Sequence, residues 1–297
     1  MLIEMAIADA YAIAWEFTDK QTAANDLSGF YQHPTYAELK PGQYTDDTQR
    51  AIGNILALTS DSKRIYEIFN PRTYAEAYIQ VYRQDPREGY SRGYQRFLSA
   101  QTNADDFIMD ISRTKASNGA VMGAAPLGFL PEIPMIKLAS TIQAVSTHHM
   151  NAAIHAQLVA LSTHFFLRSY GEKETLQGWL MNHADWEDNT DESYRWAYLV
   201  ESFANGKKTT IKASSISAYM VYAVTMFGSL SEIIRDAVER GGDTDSAAAV
   251  AVAVASMSDE ITNDLPEHLY RDLDAANPGF GLEYLGGLEE RIRNIFG

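Results

Sequence analysis

Apolar residues recur at steps of three and four along most of this chain, and strict apolar–polar alternation is scarce. That periodicity belongs to amphipathic helices rather than to half-buried strands. It runs through TYAEAYIQVYRQ (73–84), ASTIQAVSTHHMNAAIHAQLVALSTHFFLRSY (139–170) and SYRWAYLVESFAN (193–205). SISAYMVYAVTMF (215–227), SEIIRDAVER (231–240) and SAAAVAVAVASM (246–257) continue it. The last segment carries Ala or Val on every face, so its neighbours can approach closely, and it is predicted to lie at the centre of a helical bundle. LPEIPMI (130–136) and NPGFG (277–281) punctuate the helices, and neither an internal repeat nor a linker divides the sequence. The expectation is a compact all-α, multi-helix fold, with residues 1–297 forming a single domain.

Charge narrows the possible partners. The chain has a formal net charge of −15, so it lacks the basic surface that a phosphate backbone requires, and nucleic acid is not expected as the main partner. Cysteine is absent, which removes disulfides and thiolate catalysis. The first residues carry Glu4 and Asp9 and no basic stretch, and the most apolar run, Ala247 to Met257, falls well short of the ~20 residues of a membrane span. A cytoplasmic protein with no membrane partner is expected. G-x-x-x-x-G-K-(S/T) and G-x-S-x-G are both missing.

Two short stretches stand out chemically. YTDDTQ (44–49) and GGDTDS (241–246) each crowd carboxylates beside hydroxyls. Each precedes a periodic stretch, and Gly241-Gly242 has the form of a helix stop, so both are predicted to sit at helix N-termini. Capping explains one such side chain, because Asp, Ser and Thr are preferred there and the helix dipole favours anions. A cap needs one carboxylate, however, and each motif supplies two. Together they offer only hard oxygen donors, which suit Mg²⁺ or Mn²⁺ and not zinc. Brought together, they would hold two cations, which lie about 3.5–4 Å apart in two-metal sites.

The order of blocks along the chain resembles that of the ADP-ribosylglycohydrolases. DAYAIAWEF (9–17) is similar to their opening D-A-x-G-x-x-x-E-F, and YTDDTQ and GGDTDS match their two acidic motifs. DPREGYSRGYQRFL (85–98), SNGAVMGAAPLG (117–128) and STHHMNAA (146–153) resemble further family segments. The resemblance implies an all-α fold with two divalent ions held by Thr45, Asp46, Asp47, Asp243, Asp245 and Ser246. It implies Glu16 as general acid/base, with Asp46 and Asp47 in the catalytic group. Ser117, Asn118, Gly119 and His148 would contact the substrate. The implied activity is removal of ADP-ribose from an ADP-ribosylated protein or small-molecule conjugate by cleavage at C1″. The alternative is a catalytically weak ADP-ribose-binding or toxin-neutralising module. Ala8, Ala12, Ala14 and Gly123 depart from the pattern: the family has Gly at the first two, Pro at the third and often Arg at the last. Taken without the resemblance, Glu16 reads as a glutamate at a helix end, and His148, His149, His155 and His164 read as ordinary histidines of a helical face.

Overall fold

The computed structural model describes residues 1–18, 24–60, 65–111, 118–145, 152–186 and 190–297. Its α-helices are α1 (Leu2–Ala12), α2 (Asp46–Thr59), α3 (Pro71–Gln84), α4 (Arg92–Ala100), α5 (Ala104–Asp110), α6 (Gly119–Met122), α7 (Ile133–Val145) and α8 (Ala153–Leu167). They continue as α9 (Leu176–His183), α10 (Thr190–Phe203), α11 (Ala213–Met226), α12 (Leu230–Arg240), α13 (Thr244–Ala255), α14 (Glu267–Ala276) and α15 (Leu282–Phe296). Among the described residues there is no strand, only an isolated bridge between Ser229 and Thr262. The all-α expectation holds. Nor is any helix of these residues long and apolar enough to cross a membrane.

Local chemistry sets the ends of these helices. Asn70 accepts a hydrogen bond from the Arg72 N–H, and Pro71 takes the first helical position of α3, where a missing N–H costs nothing. Ser91, Asn103 and Ser229 cap α4, α5 and α12 in the same way. The periodic stretch at 139–170 resolves into α7 and α8, with residues 146–151 outside the described set.

The Ala/Val helix is central, as its composition predicts. Every residue of α13 is buried, and α13 packs against α1, α8, α11 and α12. Alanine faces meet there: Ala6, Ala8, Ala10 and Ala12 of α1 are as inaccessible as Ala247 to Ala255 of α13. Close approach of α1 and α13 fixes where their ends lie. A hydroxyl hydrogen bond 2.8 Å long from Thr244, at the start of α13, to the Ala12 carbonyl, at the end of α1, locks the pair.

Ala8, Ala12 and Ala14 are explained by this geometry. All three are fully buried, and Ala12 has φ −76° and ψ −22°, an ordinary helical conformation in which no glycine is required. The chain passes from α1 directly into a 3₁₀ turn at Ile13–Trp15, so alanine lets the helix run on to Glu16. Adding volume inside this contact should be costly. Ala249→Leu is expected to destabilise the protein by about 1–3 kcal/mol, read as a lower urea midpoint with an unchanged m-value.

Candidate active site

Both acidic motifs stand at helix starts, and their carboxylates converge. Asp46 opens α2, and Thr244 opens α13 with Asp243 just before it. Thr45 does not cap α2 with its own side chain. Asp9, reaching across from α1, performs that task. Its carboxylate accepts from the Thr45 N–H (2.9 Å), the Thr45 hydroxyl (2.7 Å), the Thr48 N–H (3.1 Å) and the Thr48 hydroxyl (2.6 Å). Capping is thereby satisfied from outside the motif, which leaves Asp46 and Asp47 free for other work. Because the Thr45 hydroxyl gives its proton to Asp9, its oxygen lone pairs remain available.

The second motif is held by a tight turn. Gly241 and Gly242 have φ of +70° and +92°, and a Cβ on Gly242 would sit 2.1 Å from the Thr209 carbonyl oxygen, so glycine is required there. The Thr209 hydroxyl donates to the carbonyls of Gly241 (2.9 Å) and Asp243 (3.0 Å). The Phe17 N–H in turn donates to the Gly242 carbonyl at 2.9 Å. That bond ties the Glu16 segment to the acidic turn.

Glu16 projects into the same cavity, which encloses about 190 Å³ and is lined by Asp46, Asp47, Asp243, Asp245, Ser246, Asn118, Gly119, Tyr36, Arg50 and others. This is below the ~300–1,000 Å³ of a typical ligand pocket. It has room for a sugar-sized group, with the rest of a larger ligand outside. A more open hollow of about 870 Å³ lies beside α15, lined by Asp274, Glu283 and Arg291 among others. No carboxylate triad converges there among the described residues, so the chemistry belongs to the smaller cavity.

Around that cavity the carboxylates form two overlapping triads, which bring in Asp9 from outside its lining. One oxygen from each of Asp9, Asp47 and Asp245 lies within 4.8 Å of the others, and the same holds for Glu16, Asp243 and Asp245. Oδ1 of Asp47 and Oδ1 of Asp245 are buried with no hydrogen-bond partner. A buried, unpaired carboxylate oxygen is costly unless a cation takes it up. The donor set is entirely oxygen, as a hard divalent ion prefers. These acidic groups therefore fit a metal ion.

Burial pushes all these carboxyls upward, and mutual repulsion adds to it at Glu16, Asp46, Asp47 and Asp245. Glu16 rises to about 8, through burial and then the charge of Asp243. Asp46 rises to about 7, through burial and then Asp9, and Asp243 to about 6, through burial. Asp47 and Asp245 lie well above the usual carboxylate range, from burial first and then, respectively, the charges of Asp9 and Glu16.

Several residues hold this arrangement in place. Asn118, a candidate substrate contact from the sequence, spends its amide N–H₂ on Asp243 Oδ2 (2.9 Å) and Ser246 Oγ (2.8 Å). Ser246 passes a hydrogen bond to Asp47 Oδ2 at 3.3 Å, linking the two motifs. Gly119 lies in the cavity wall. Ser117, His148 and His149 lie outside the described residues. His155 and His164 prove to be core histidines. The first is paired with Ser217 at 3.0 Å and lowered to about 4 by burial, and the second is bonded to the Gly128 carbonyl at 2.9 Å.

Three residues of the site escape sequence reasoning. Asp9 has a visible signal, a lone carboxylate inside the apolar stretch MAIADAYAIAW (5–15). Tyr36 has none: only the fold brings its hydroxyl to Glu16 Oε2, at 3.1 Å. Its ring stacks on His33, whose Nε2 contacts the Glu16 carbonyl oxygen at 3.1 Å. Arg50 is the third.

Comparison with known proteins agrees with this geometry. The family model described as ADP-ribosylglycohydrolase matches residues 1–294. The chain belongs to the ADP-ribosylglycohydrolase family. Its fold is shared with a solved structure described as an ADP-ribosylglycohydrolase-related protein complex, at 22% identity and a TM-score of 0.67. That likeness covers 100% of this chain and 96% of the other. No curated protein sequence matches the chain.

The acidic cluster gives the metal-free protein a particular pH dependence. Each folded-state pKa stands above its unfolded value, so the folded state binds more protons than the unfolded one. The carboxylates are therefore tolerated best below their ordinary pKa of ~4. Stability is lost as pH rises through about 6, 7 and 8. In EDTA, the melting temperature is expected to fall between pH 5 and pH 8, and Mg²⁺ or Mn²⁺ should flatten that fall. Asp245→Asn should raise the melting temperature of the EDTA-treated protein at pH 8 by about 2 °C or more.

Proposed function

We propose that this protein is a divalent-cation-dependent hydrolase that releases ADP-ribose from an ADP-ribosylated protein side chain or small molecule by cleaving the bond at C1″ of the distal ribose. One observation carries the reading. Two oxygen-only carboxylate triads share Asp245, which lines a sugar-sized cavity, and two of their buried oxygens have no partner. Family membership supplies the substrate class.

In this reading Thr45, Asp46, Asp47, Asp243, Asp245 and Ser246 hold two cations, Mg²⁺ or Mn²⁺, with Asp9 alongside. When bound, such ions would hold ribose hydroxyls and lower the pKa of a nearby water. The remaining work falls to the side chains. Tyr36 donates to Glu16 Oε2, which leaves Oε1 to take the proton of the attacking water or to return one to the leaving group. Positive charge beside Glu16 favours its ionised form, so a carboxyl at about 8 without cations is brought into the base form near neutrality. The surrounding carboxylates offset positive charge developing at C1″. Asn118 keeps Asp243 and Ser246 oriented throughout.

The departures from the family pattern do not favour a binding-only module. Ala8, Ala12 and Ala14 pack where helix is needed, and Gly123 fits for a packing reason as well. A Cβ there would lie 2.8 Å from the Arg50 carbonyl oxygen.

The test combines turnover and affinity. Glu16→Gln is expected to lower kcat about 10²–10⁴-fold on an ADP-ribosylated substrate, with little change in the Kd for ADP-ribose. Calorimetry should show ADP-ribose binding more tightly than AMP in Mg²⁺ and losing that advantage in EDTA. Near-normal kcat in Glu16→Gln, or equal affinities in Mg²⁺ and EDTA, would overturn the proposal.

A further inference from the structure

Arg50, a cation buried at the edge of an acidic site, makes no ion pair among the described residues. It stands on α2 one turn after Asp46, is 4% exposed and forms part of the cavity wall. Its guanidinium lies between two tyrosine rings, 4.5 Å from the centroid of Tyr78 and 4.3 Å from that of Tyr94. The position is built, not incidental. Gly53 leaves space for the Tyr78 ring, since a Cβ there would lie 2.5 Å from it. The Tyr78 hydroxyl donates to Asn54 at 2.6 Å and Gln143 at 3.1 Å. Asn54 then donates to the Gly123 carbonyl at 2.6 Å, and Gln143 to that of Ala120 at 2.7 Å.

This frame holds the guanidinium by its faces and leaves Nη1 at its edge without a well-formed hydrogen bond. Arg50 Nη1 is buried with no hydrogen-bond partner, and the Tyr94 hydroxyl is in the same state, although the two groups are close enough to interact. Among the described residues Arg50 makes no ion pair, even with Asp46. Stacking gives a guanidinium attraction at its faces, but its in-plane N–H groups still require acceptors. A buried donor without an acceptor is costly. Here two such donors belong to residues that line the same cavity as the carboxylates.

We propose that Arg50, assisted by the Tyr94 hydroxyl, is a specificity-determining contact for a phosphate oxygen of the bound ligand. The cavity then serves both charges: carboxylates for cations and ribose hydroxyls, and donors for an anion. The position also accounts for Gly123. The segment after Asn118 offers no cation at 123 and must be small there to admit the α2 backbone, while α2 itself brings a guanidinium into the same cavity. The phosphate comes either from the diphosphate of ADP-ribose or from a phosphate-bearing group at C1″. This inference rests on the ADP-ribose reading of the site, and its test is arranged so that the two can fail separately.

Calorimetry in Mg²⁺ would use the wild type, Arg50→Met, Arg50→Lys and Tyr94→Phe, with ADP-ribose and ADP-ribose 1″-phosphate as ligands. Tyr94→Phe removes only the hydroxyl and keeps the ring that stacks on Arg50, so it tests the idea even if Arg50→Met does not fold. Expected is a loss of affinity of roughly tenfold or more in Arg50→Met, the size of a charge-assisted hydrogen bond. Arg50→Lys should restore part of it, and Tyr94→Phe should show a smaller loss for the same ligand. Loss for both ligands assigns the contact to the diphosphate; loss for the 1″-phosphate alone assigns it to the group at C1″. Affinities within about twofold of wild type for both ligands would overturn the inference and leave the proposed function standing. If the wild type binds neither ligand, the proposed function fails, and inorganic pyrophosphate decides the rest. A pyrophosphate-induced rise in melting temperature in the wild type that Arg50→Met and Tyr94→Phe reduce would keep the anion site. No rise, or an equal rise in all variants, would remove it.

Discussion

The Asp9 carboxylate is the hub of this structure. It is fully buried on α1 and accepts four hydrogen bonds from Thr45 and Thr48 at the first turn of α2. Those bonds satisfy two backbone N–H groups that a helix start leaves open, and the α2 dipole helps to carry the negative charge. Asp46 and Asp47 are thus released from capping. Since α1 also packs along α13, the same helix brings the start of α2 to the start of α13. The acidic site is a product of where alanines allow helices to touch.

Holding so many carboxylates in one buried place works against folding unless something positive joins them. Raised pKa values at Glu16, Asp46 and Asp243 are the mark of that tension. The protein supplies few countercharges of its own. Arg50 is nearby, yet it is turned into a tyrosine sandwich and forms no ion pair with Asp46. The acidic groups fit a metal ion, and in the proposed reading the orphaned oxygens of Asp47 and Asp245 are where a cation would be held.

Much of this was legible in the sequence, for identifiable reasons. Helices declared themselves through apolar spacing. The central place of 246–257 followed from its Ala/Val composition, because a helix with small residues on every face has no side suited to solvent. The two acidic motifs were recognisable because each carried one carboxylate more than capping needs. What stayed hidden depends on contacts distant in sequence. Tyr36 meets Glu16 only after the loop preceding α2 folds back, and Arg50 carries no local signal of its place in the cavity wall, because Tyr78 and Tyr94 reach it only in the fold. The resemblance implies Asn118 as a substrate contact, and nothing local reveals that its amide also bonds Asp243, 125 residues away.

Diffraction from Mn²⁺-loaded crystals at the manganese absorption edge tests the central claim most directly. The account expects two anomalous peaks in the cavity, one beside Asp47 and Asp245 and one beside Asp243 and Asp245, with no comparable peak elsewhere. A cavity without a peak, or Mn²⁺ bound only at the protein surface, would contradict it.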